Sequence, residues 1–472
     1  VASMPFPAGE EALDFTEVRA EFGLRVEFPA GAMAEAERGA LDGRARLRNR
    51  VDATDLPLVT VDPLGSADLD QALLVRRRGP GFRLYHAIAD AAAFVRPGGP
   101  LDAEARRRGQ TLYLPDGPVP LHPTVLSEGA ASLLPGQVRP AALWIIDCDR
   151  DGEPERCRVH RALVRSVARL DYDTVQARFD AGAPHPSLAA LPELGRLRRE
   201  LALRRGAVEL QLPEQKIEPD GDGGWRLAVR LRREAEEWTA EMSILTGICA
   251  ARLMLDGGVG ILRTVPTPEP EAVTALRRMA QALDIPWQDG HDPASVLAGL
   301  DPDHPASLAL HLDATRLLRG AGYTAFDGSE PPVAGHAGIG APYAHVTAPL
   351  RRLVDRFAAE VCLAVSADAA VPEWARAALP GLPALMATSD ALAARVERTC
   401  LDQVQAWVLA DRVGEVFNAV VLRAEATGAE VFVNPPPVMA RCDGEGLPDG
   451  ERIRVRLAEA DPLRRRVRFE LP

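Results

Sequence analysis

Lysine is all but absent from this chain: Lys216 stands alone among 55 basic residues. Arginine suits bidentate phosphate contact better than lysine does, but genomic base composition produces the same bias, so the imbalance decides nothing alone. Aromatics make up only 5% of the sequence. The six cysteines, Cys148, Cys157, Cys249, Cys362, Cys400 and Cys442, include no Cys-x-x-Cys pair. That spacing excludes a zinc knuckle and a disulfide framework and leaves them as small buried hydrophobes. The formal net charge of -12 is the wrong sign for a protein that coats nucleic acid indiscriminately, although an internal basic channel is compatible with it. No apolar run approaches the roughly 18 residues of a membrane span. The start Val1-Ala2-Ser3-Met4-Pro5-Phe6 lacks the basic and apolar regions of a signal peptide. The expectation is a cytoplasmic protein with no membrane contact.

What is present is ample material for cores. The chain has 472 residues, 47% hydrophobic and 26% charged, enough for about three globular domains. Residues 1 to about 50 carry short helical patterns, Glu10 to Glu21 and Ala30 to Arg38, with Arg44, Arg46, Arg48 and Arg50 after them. Two readings stand: a small helix-turn-helix-like module, or a helical arm packed on the main body.

The most informative stretch is Asp62-Pro63-Leu64-Gly65-Ser66-Ala67-Asp68-Leu69-Asp70-Gln71. The runs Leu58-Val59-Thr60-Val61 and Ala72-Leu73-Leu74-Val75 that flank it read as short buried strands, and Pro-Leu-Gly-Ser reads as the turn between them. Asp68 and Asp70, two apart, share a face if the chain is extended. Gln71 then faces away, and being uncharged it is a weak metal ligand or none. Three carboxylates so close repel one another unless a cation neutralises them. Turn and capping aspartates in a solvated loop are the plainer alternative.

Downstream lie a hairpin pattern, Leu73 to Arg77 and Phe82 to Ala89 around Gly79-Pro80-Gly81, and strand patterns at Ala141 to Cys148 and Arg156 to Val167. Helical periodicity covers Ser187 to Gly206, with Arg196, Arg198, Arg199, Arg204 and Arg205 forming either a solvated face or an RNA-facing stripe. After Ala-rich helical segments between 366 and 410, the pattern turns to short strands, Glu415 to Arg423, Glu430 to Asn434, Arg452 to Leu457 and Arg465 to Leu471. Such spacing suggests an OB-type barrel.

Val59-Thr60-Val61-Asp62 with Asp68-Leu69-Asp70 resembles the signature of the RNase II and RNase R exoribonucleases, the RNB-domain family. The resemblance runs from Val51 to roughly residue 360. It implies an α+β fold: an RNB catalytic domain, a mixed sheet surrounded by helices, over 51–405, a helical N-terminal module over 1–50 without cold-shock barrels, and a ribosomal-protein-type RNA-binding OB barrel over 410–472. By the same resemblance Asp62, Asp68 and Asp70 hold magnesium, or manganese in its place, at the scissile phosphate, with Asp70 catalytic. The family's fourth aspartate is Gln71 here. Ala87-Ile88-Ala89-Asp90 is similar to the family's His-Ile-Ala-Asp, with His86 one place early, which points to packing. Arg106 to Pro115 contains Tyr113, the family's base-stacking tyrosine, and its second aromatic is replaced by Leu210. The segments Pro123 to Ser127 and Ser132 to Pro135, with Arg139, are read as scaffold.

Glu241-Met242-Ser243-Ile244 opens the family's central helix, with Ala240 in place of a first acid, and Glu241 is assigned a catalytic part. Tyr343-Ala344-His345-Val346-Thr347-Ala348-Pro349-Leu350-Arg351-Arg352, followed by Asp355, is similar to the family's phosphate-bracing motif. Pro349 is expected at a helix start, aiming Arg351 at the scissile phosphate and Arg352 at RNA from the first turn. In the barrel, Phe417 and Phe432 are the candidate stacking aromatics, beside Arg452, Arg454 and Arg464 to Arg466. The implied activity is 3′-to-5′ hydrolysis of single-stranded RNA to nucleoside 5′-monophosphates by a monomer without an obligate protein partner. Gln71 and Ala240 keep open a catalytically impaired RNA-binding protein on the same fold, and the acidic site alone would also serve a DNA nuclease.

Overall fold

The computed structural model describes residues 14–42, 49–212, 214–219, 224–230, 232–288, 290–301 and 304–472. Arg44, Arg46 and Arg48, and the first residues of the expected 10–21 helix, lie outside them. Two β-branched runs and the hairpin after them build the centre: β1 (Val51–Asp52), β2 (Leu58–Asp62), β3 (Gln71–Arg78) and β4 (Gly81–Ala89). A small hairpin follows, β5 (Leu112–Leu114) with β6 (Gly117–Val119), and then two long strands, β7 (Val138–Cys148) and β8 (Pro154–Asp171). The sheet order is β1-β8-β2-β3-β4-β7, and β8 also pairs with β7.

That closure comes from the length of β8. Its first part runs antiparallel to β7, Arg156 to Arg165 against Asp147 to Val138. Its last part turns parallel to β2, from Leu58 against Ser166 to Asp62 against Asp171. Gly81 permits the β4–β7 approach, because a Cβ there would stand 2.1 Å from the Cys148 carbonyl oxygen.

Alternation along β2 and β3 divides the sheet between two cores. Val59, Val61, Leu73 and Val75 face the helices Glu234–Asp256 and Leu353–Ser366, meeting Met242, Leu245, Cys249, Phe357 and Val361. Leu58, Ala72 and Leu74 face a second core with Ala32, Leu101, Leu133 and Leu350. Burial on both faces explains why these strands read as continuous apolar runs. The described N-terminal helices, Thr16–Glu21 and Ala30–Leu41, split between neighbours: Val18 joins the core of the C-terminal barrel, and Ala32 and Ala36 join the second core of the sheet. They form an arm on the main body.

A 28-residue helix, Leu382–Leu409, crosses the expected boundary at 405 and reaches the barrel. The barrel closes over five strands, Val416–Glu425, Gly428–Val433, Val438–Asp443, Arg452–Asp461 and Arg466–Glu470. Phe417 and Phe432, expected as stacking aromatics, are buried. Phe417 packs edge to face on Phe469 inside the barrel, centroids 5.9 Å apart, and Phe432 packs against Leu308 and Leu422. Among the described residues no helix is long and apolar enough to cross a membrane.

Candidate active site

The acidic stretch leaves β2 at Asp62, turns at Gly65 (φ +93) and returns into β3 at Gln71. Residues 66–70 belong to no strand. They are pinned from the side: the Ser132 hydroxyl donates to the Ala67 carbonyl (2.8 Å) and accepts the Leu69 N–H (3.0 Å), while the Leu133 N–H donates to the Leu69 carbonyl (3.0 Å). Arg139 holds that support in turn, donating from Nε to the Ser132 carbonyl at 3.0 Å. Of the segments read as scaffold, Ser132 to Pro135, backed by Arg139, therefore acts directly on the loop.

Each aspartate meets a different environment. Asp70 is 4% exposed; its Oδ1 accepts the Leu350 N–H at 2.7 Å and its Oδ2 stands 3.5 Å from Arg351 Nε. Burial pushes its carboxyl well above the usual range, against the opposing pull of Arg351 and the Leu350 N–H, and Asp68 pushes the same way as burial. Asp62 is raised to about 7, by burial first and by Asp68 next, with Arg351 and Arg169 opposing. Its Oδ2 is enclosed with no hydrogen-bond partner among the described residues. Asp68 accepts the Tyr113 phenol at 3.1 Å. The three carboxylates thus feel one another, yet among the described residues no three His, Cys, Asp or Glu side chains are gathered at metal-ligating spacing. Hard oxygen donors and one enclosed, unpartnered carboxylate oxygen are nevertheless the donor chemistry that a magnesium-like cation takes.

Tyr113 and Arg351 come to the loop together. The Thr111 N–H donates to the Arg351 carbonyl (2.9 Å) and the Leu353 N–H to the Gly109 carbonyl (3.0 Å), so β5 is zipped to the arginine motif. Tyr113 is 53% exposed and the Arg351 side chain 46%. Both line a cavity of about 290 Å³ whose far wall is Val396 and Glu397 of the long helix.

The arginine motif departs from expectation in its local shape. The helix begins at Leu353, after both arginines, and Pro349 lies in the turn before it. Two carboxylates hold this stretch: Asp355, seven residues on, accepts the Ala348 N–H at 2.7 Å, and Asp70, 280 positions away, accepts that of Leu350 at the same distance. Those N–H groups hold an open turn. Arg352, expected at RNA, is mostly buried and donates to both oxygens of Asp355 at 2.6 and 2.9 Å. This ion pair ties the turn to the helix start, while Arg351 offers a guanidinium to solvent beside Asp70 and the exposed Arg169 acts on Asp62.

Glu241 does not join the aspartates in any contact. It is buried among Arg198, Glu209, Arg199 and Arg205, and burial, opposed by Arg198, raises it to about 7. The arginine-bearing helix is accordingly no simple solvated or RNA-facing stripe, since Arg198 is fully buried and donates to the Gly152 carbonyl at 2.9 Å. The Glu234–Asp256 helix nevertheless touches the site through Ser243, whose hydroxyl is 2.8 Å from Gln71 Oε1. His86 Nε2 is 2.9 Å from the same oxygen, and its Nδ1 is 2.8 Å from the Thr246 hydroxyl. Gln71 thus faces the helix layer, and its carbonyl oxygen is occupied. Gly247 admits the arginine motif to this helix, because a Cβ there would stand 2.2 Å from the Tyr343 ring.

Sequence reasoning missed Ser243, Thr246 and Arg169. A hint was available in the two hydroxyls three residues apart on an otherwise apolar helix face. Arg169 followed only from the β2–β8 register.

Residues 50–365 match the RNB domain, and residues 415–471 match the RNase II-type exonuclease C-terminal S1 domain. Ribonuclease R of Escherichia coli is 32% identical over 350 residues, 71% of this chain and 40% of that relative's length, so the chain spans well under half of it. The fold is similar to that of Mycoplasma genitalium RNase R, TM-score 0.86 at 22% identity over 96% of this chain and 77% of that one, a protein also solved with ribose-methylated single-stranded RNA and with double-stranded RNA. It is also similar to yeast Ssd1, a pseudonuclease, with a TM-score of 0.71 at 18% identity over 88% of this chain and 54% of that one.

Proposed function

Because the chain belongs to the RNB-domain family, we propose that it is a magnesium-dependent 3′-to-5′ exoribonuclease that hydrolyses single-stranded RNA to nucleoside 5′-monophosphates. The observation that carries this reading is the undercompensated carboxylate set: Asp62 with an enclosed, unpartnered oxygen, and Asp70 raised by burial beside the exposed guanidinium of Arg351. Asp62, Asp68 and Asp70 would hold the cation, which when bound supplies Lewis-acid polarisation of the phosphodiester and a source of hydroxide near neutral pH.

The other steps belong to the chain's own side chains. Arg351 offers donors to the non-bridging oxygens, where charge grows during displacement. Tyr113 presents a phenol ring that stacks on any terminal base, which suits an enzyme without sequence preference. With Leu210 at the position of a second aromatic, the 3′ end is gripped by Tyr113 and phosphate contacts in place of a two-sided sandwich. Glu241 acts from its arginine-lined surroundings, orienting a substrate hydroxyl or water. The exposed Arg452, Arg454, Arg464 and Arg466 of the barrel are the candidates for holding RNA upstream.

Incubating the chain with 5′-labelled oligo-RNA and magnesium tests the reading. Stepwise shortening from the 3′ end with release of 5′-monophosphates, lost on adding chelator, is the expected result; breakdown that ignores chelator would overturn it. Gln71 and the likeness of fold to a pseudonuclease favour one second reading, a catalytically silent RNA-binding protein. Its outcome in the same assay is bound but uncut RNA.

A further inference from the structure

By alternation along β5, Leu112 and Leu114 turn inward and Tyr113 turns out. The two-residue turn Pro115-Asp116 leads into β6, where Gly117 pairs with Leu114 and Pro118 with Tyr113. A hairpin this short does not hold its shape alone in water, so whatever grips it decides where the ring stands. Its base is gripped by the arginine motif, through the Thr111 N–H on the Arg351 carbonyl and the Gln110–Arg352 bridge. Its tip is gripped by the N-terminal arm. Arg19 donates from Nη1 and Nη2 to the two oxygens of Asp116, each at 2.7 Å, and from Nη2 to the Gly117 carbonyl at 3.0 Å. The Phe15 N–H adds a longer bond to Asp116 Oδ2, at 3.4 Å.

The arm is anchored in its turn. Phe15 stands edge-on to Trp407 of the long helix and to Trp225, with centroids 5.7 Å apart in each case, and Gln403 donates to the Asp14 carbonyl at 3.3 Å. Glu21 pairs with Arg465 of the barrel at 2.5 Å. Phe15 and Val18 share one core with Leu112 and Leu114 of the hairpin and with Val396, the far wall of the cavity that Tyr113 lines. The ring and the wall opposite it therefore rest on the same packing.

We propose that Arg19 and Asp116 are positioning residues for the RNA 3′ end: the arm locks the hairpin tip so that the Tyr113 ring already stands at the cavity when RNA arrives. The proposal rests on the exoribonuclease reading for its ligand. A two-bond fork between guanidinium and carboxylate fixes direction as well as distance, and a ring held beforehand lowers the ordering cost of stacking on it. An ion pair this near the surface adds little to global stability, so its loss is expected in the grip and not in the melting temperature.

Steady-state cleavage of a short and a long single-stranded oligo-RNA by the full chain tests this, with melting temperatures recorded alongside. Arg19→Ala is expected to raise KM for the short substrate about fivefold and to leave kcat near that of the parent; KM for the long substrate should stay within about twofold, because upstream contacts hold it. In a Tyr113→Ala background the same substitution should raise the short-substrate KM no further, since it acts through the ring. Asp116→Ala frees the tip from the other side, should repeat both results, and carries the test if Arg19→Ala does not fold. Parent-like KM for the short substrate in both variants, or an equal rise with and without Tyr113, would overturn the proposal. So would a matching fall in kcat on both substrates, the mark of a merely structural role. If the parent bound RNA without cutting it, the hydrolytic reading alone would fail; affinity for the short oligo-RNA in chelator would then replace KM, with the same loss of about fivefold expected.

Discussion

Two sets of buried carboxylates lie within the same domain, and the chain treats them in opposite ways. Asp90, Asp102 and Asp355 are each closed off by arginine: Asp90 by Arg50 and Arg161 at 2.6 and 2.8 Å, Asp102 by Arg356 and Arg106, and Asp355 by Arg352. Burial works to raise Asp102, but Arg356, the Gly98 N–H and Arg106 hold its carboxyl below the ordinary range. Asp62 and Asp70 are raised instead: burial dominates, Asp68 adds to it, and Arg351, 3.5 Å from Asp70 but nearly half exposed, offsets only part of it. Burial alone does not separate a structural acid from a functional one. What separates them is whether the protein supplies the counter-charge or leaves it to a ligand.

The sharpest way to break this comparison is to neutralise one acid from each set. Asp70→Asn should abolish cleavage while RNA binding survives, because the amide oxygen still accepts the Leu350 N–H but the charge is gone. Its melting temperature should stay level or rise, since an uncompensated buried charge has been removed. Asp355→Asn should do the reverse. It leaves Arg352 buried without its partner and loosens the Ala348 turn, at a cost of about 3–5 kcal/mol, read by urea denaturation. If the two variants behaved alike in stability, the division between the sets would fail.

Arg351→Ala comes next. Removing the one exposed guanidinium beside Asp70 takes away transition-state donors worth on the order of 3 kcal/mol, so turnover should slow by about a hundredfold. Single-turnover rates at saturating enzyme would show it. Arg352→Ala should instead lower the melting point, a contrast that the two adjacent arginines would not show if both served RNA.

Glu241 tests the comparison from outside both sets. Its folded value of about 7 lies above its ordinary 4.5, so the folded chain binds the extra proton between those values. Stability from this group is therefore present below about pH 4.5, declines as pH rises through 7, and is absent above. Glu241→Gln should raise stability at pH 8 by up to about 3 kcal/mol and leave it unchanged at pH 4, measured by denaturant titration at both. Destabilisation at pH 8 would mean that Arg198 and Arg205 hold the carboxylate as a true ion pair.

Much of this was legible in the residues. The runs around Asp62 and Gln71 gave β2 and β3, and alternation after Gly414 gave a barrel, because a strand buried on one or both faces writes its period into the sequence. What was not legible depended on which partner a side chain or N–H meets once the chain is folded. Pro349 looked like a helix start, but it lies in a turn whose Leu350 N–H is held by Asp70, 280 positions away. Arg352 read as a ligand for RNA, although Asp355, three places on, takes the edge of its guanidinium formed by Nε and one Nη. Phe417 and Phe432 read as stacking rings because strand alternation gives two faces without saying which is inside.

The smallest expected effect concerns Tyr113, the exposed member of the site that carries no formal charge. Its phenol is tied to Asp68 at 3.1 Å, which steadies the ring against the rim while leaving 53% of the residue open. Stacking on one base is worth about 1–3 kcal/mol. With Leu210 supplying no second ring, the shortest RNA still held should depend strongly on this contact. Tyr113→Ala should leave the first cleavages on a long substrate nearly as fast as in the parent, because many upstream contacts remain. As the chain shortens, those contacts are lost and the missing stack becomes a larger share of what is left, so degradation should stop at a longer end product. Denaturing gels of 5′-labelled RNA digested to completion give the comparison directly. An unchanged final length would place the grip on the 3′ end in Arg351 and the aspartates alone.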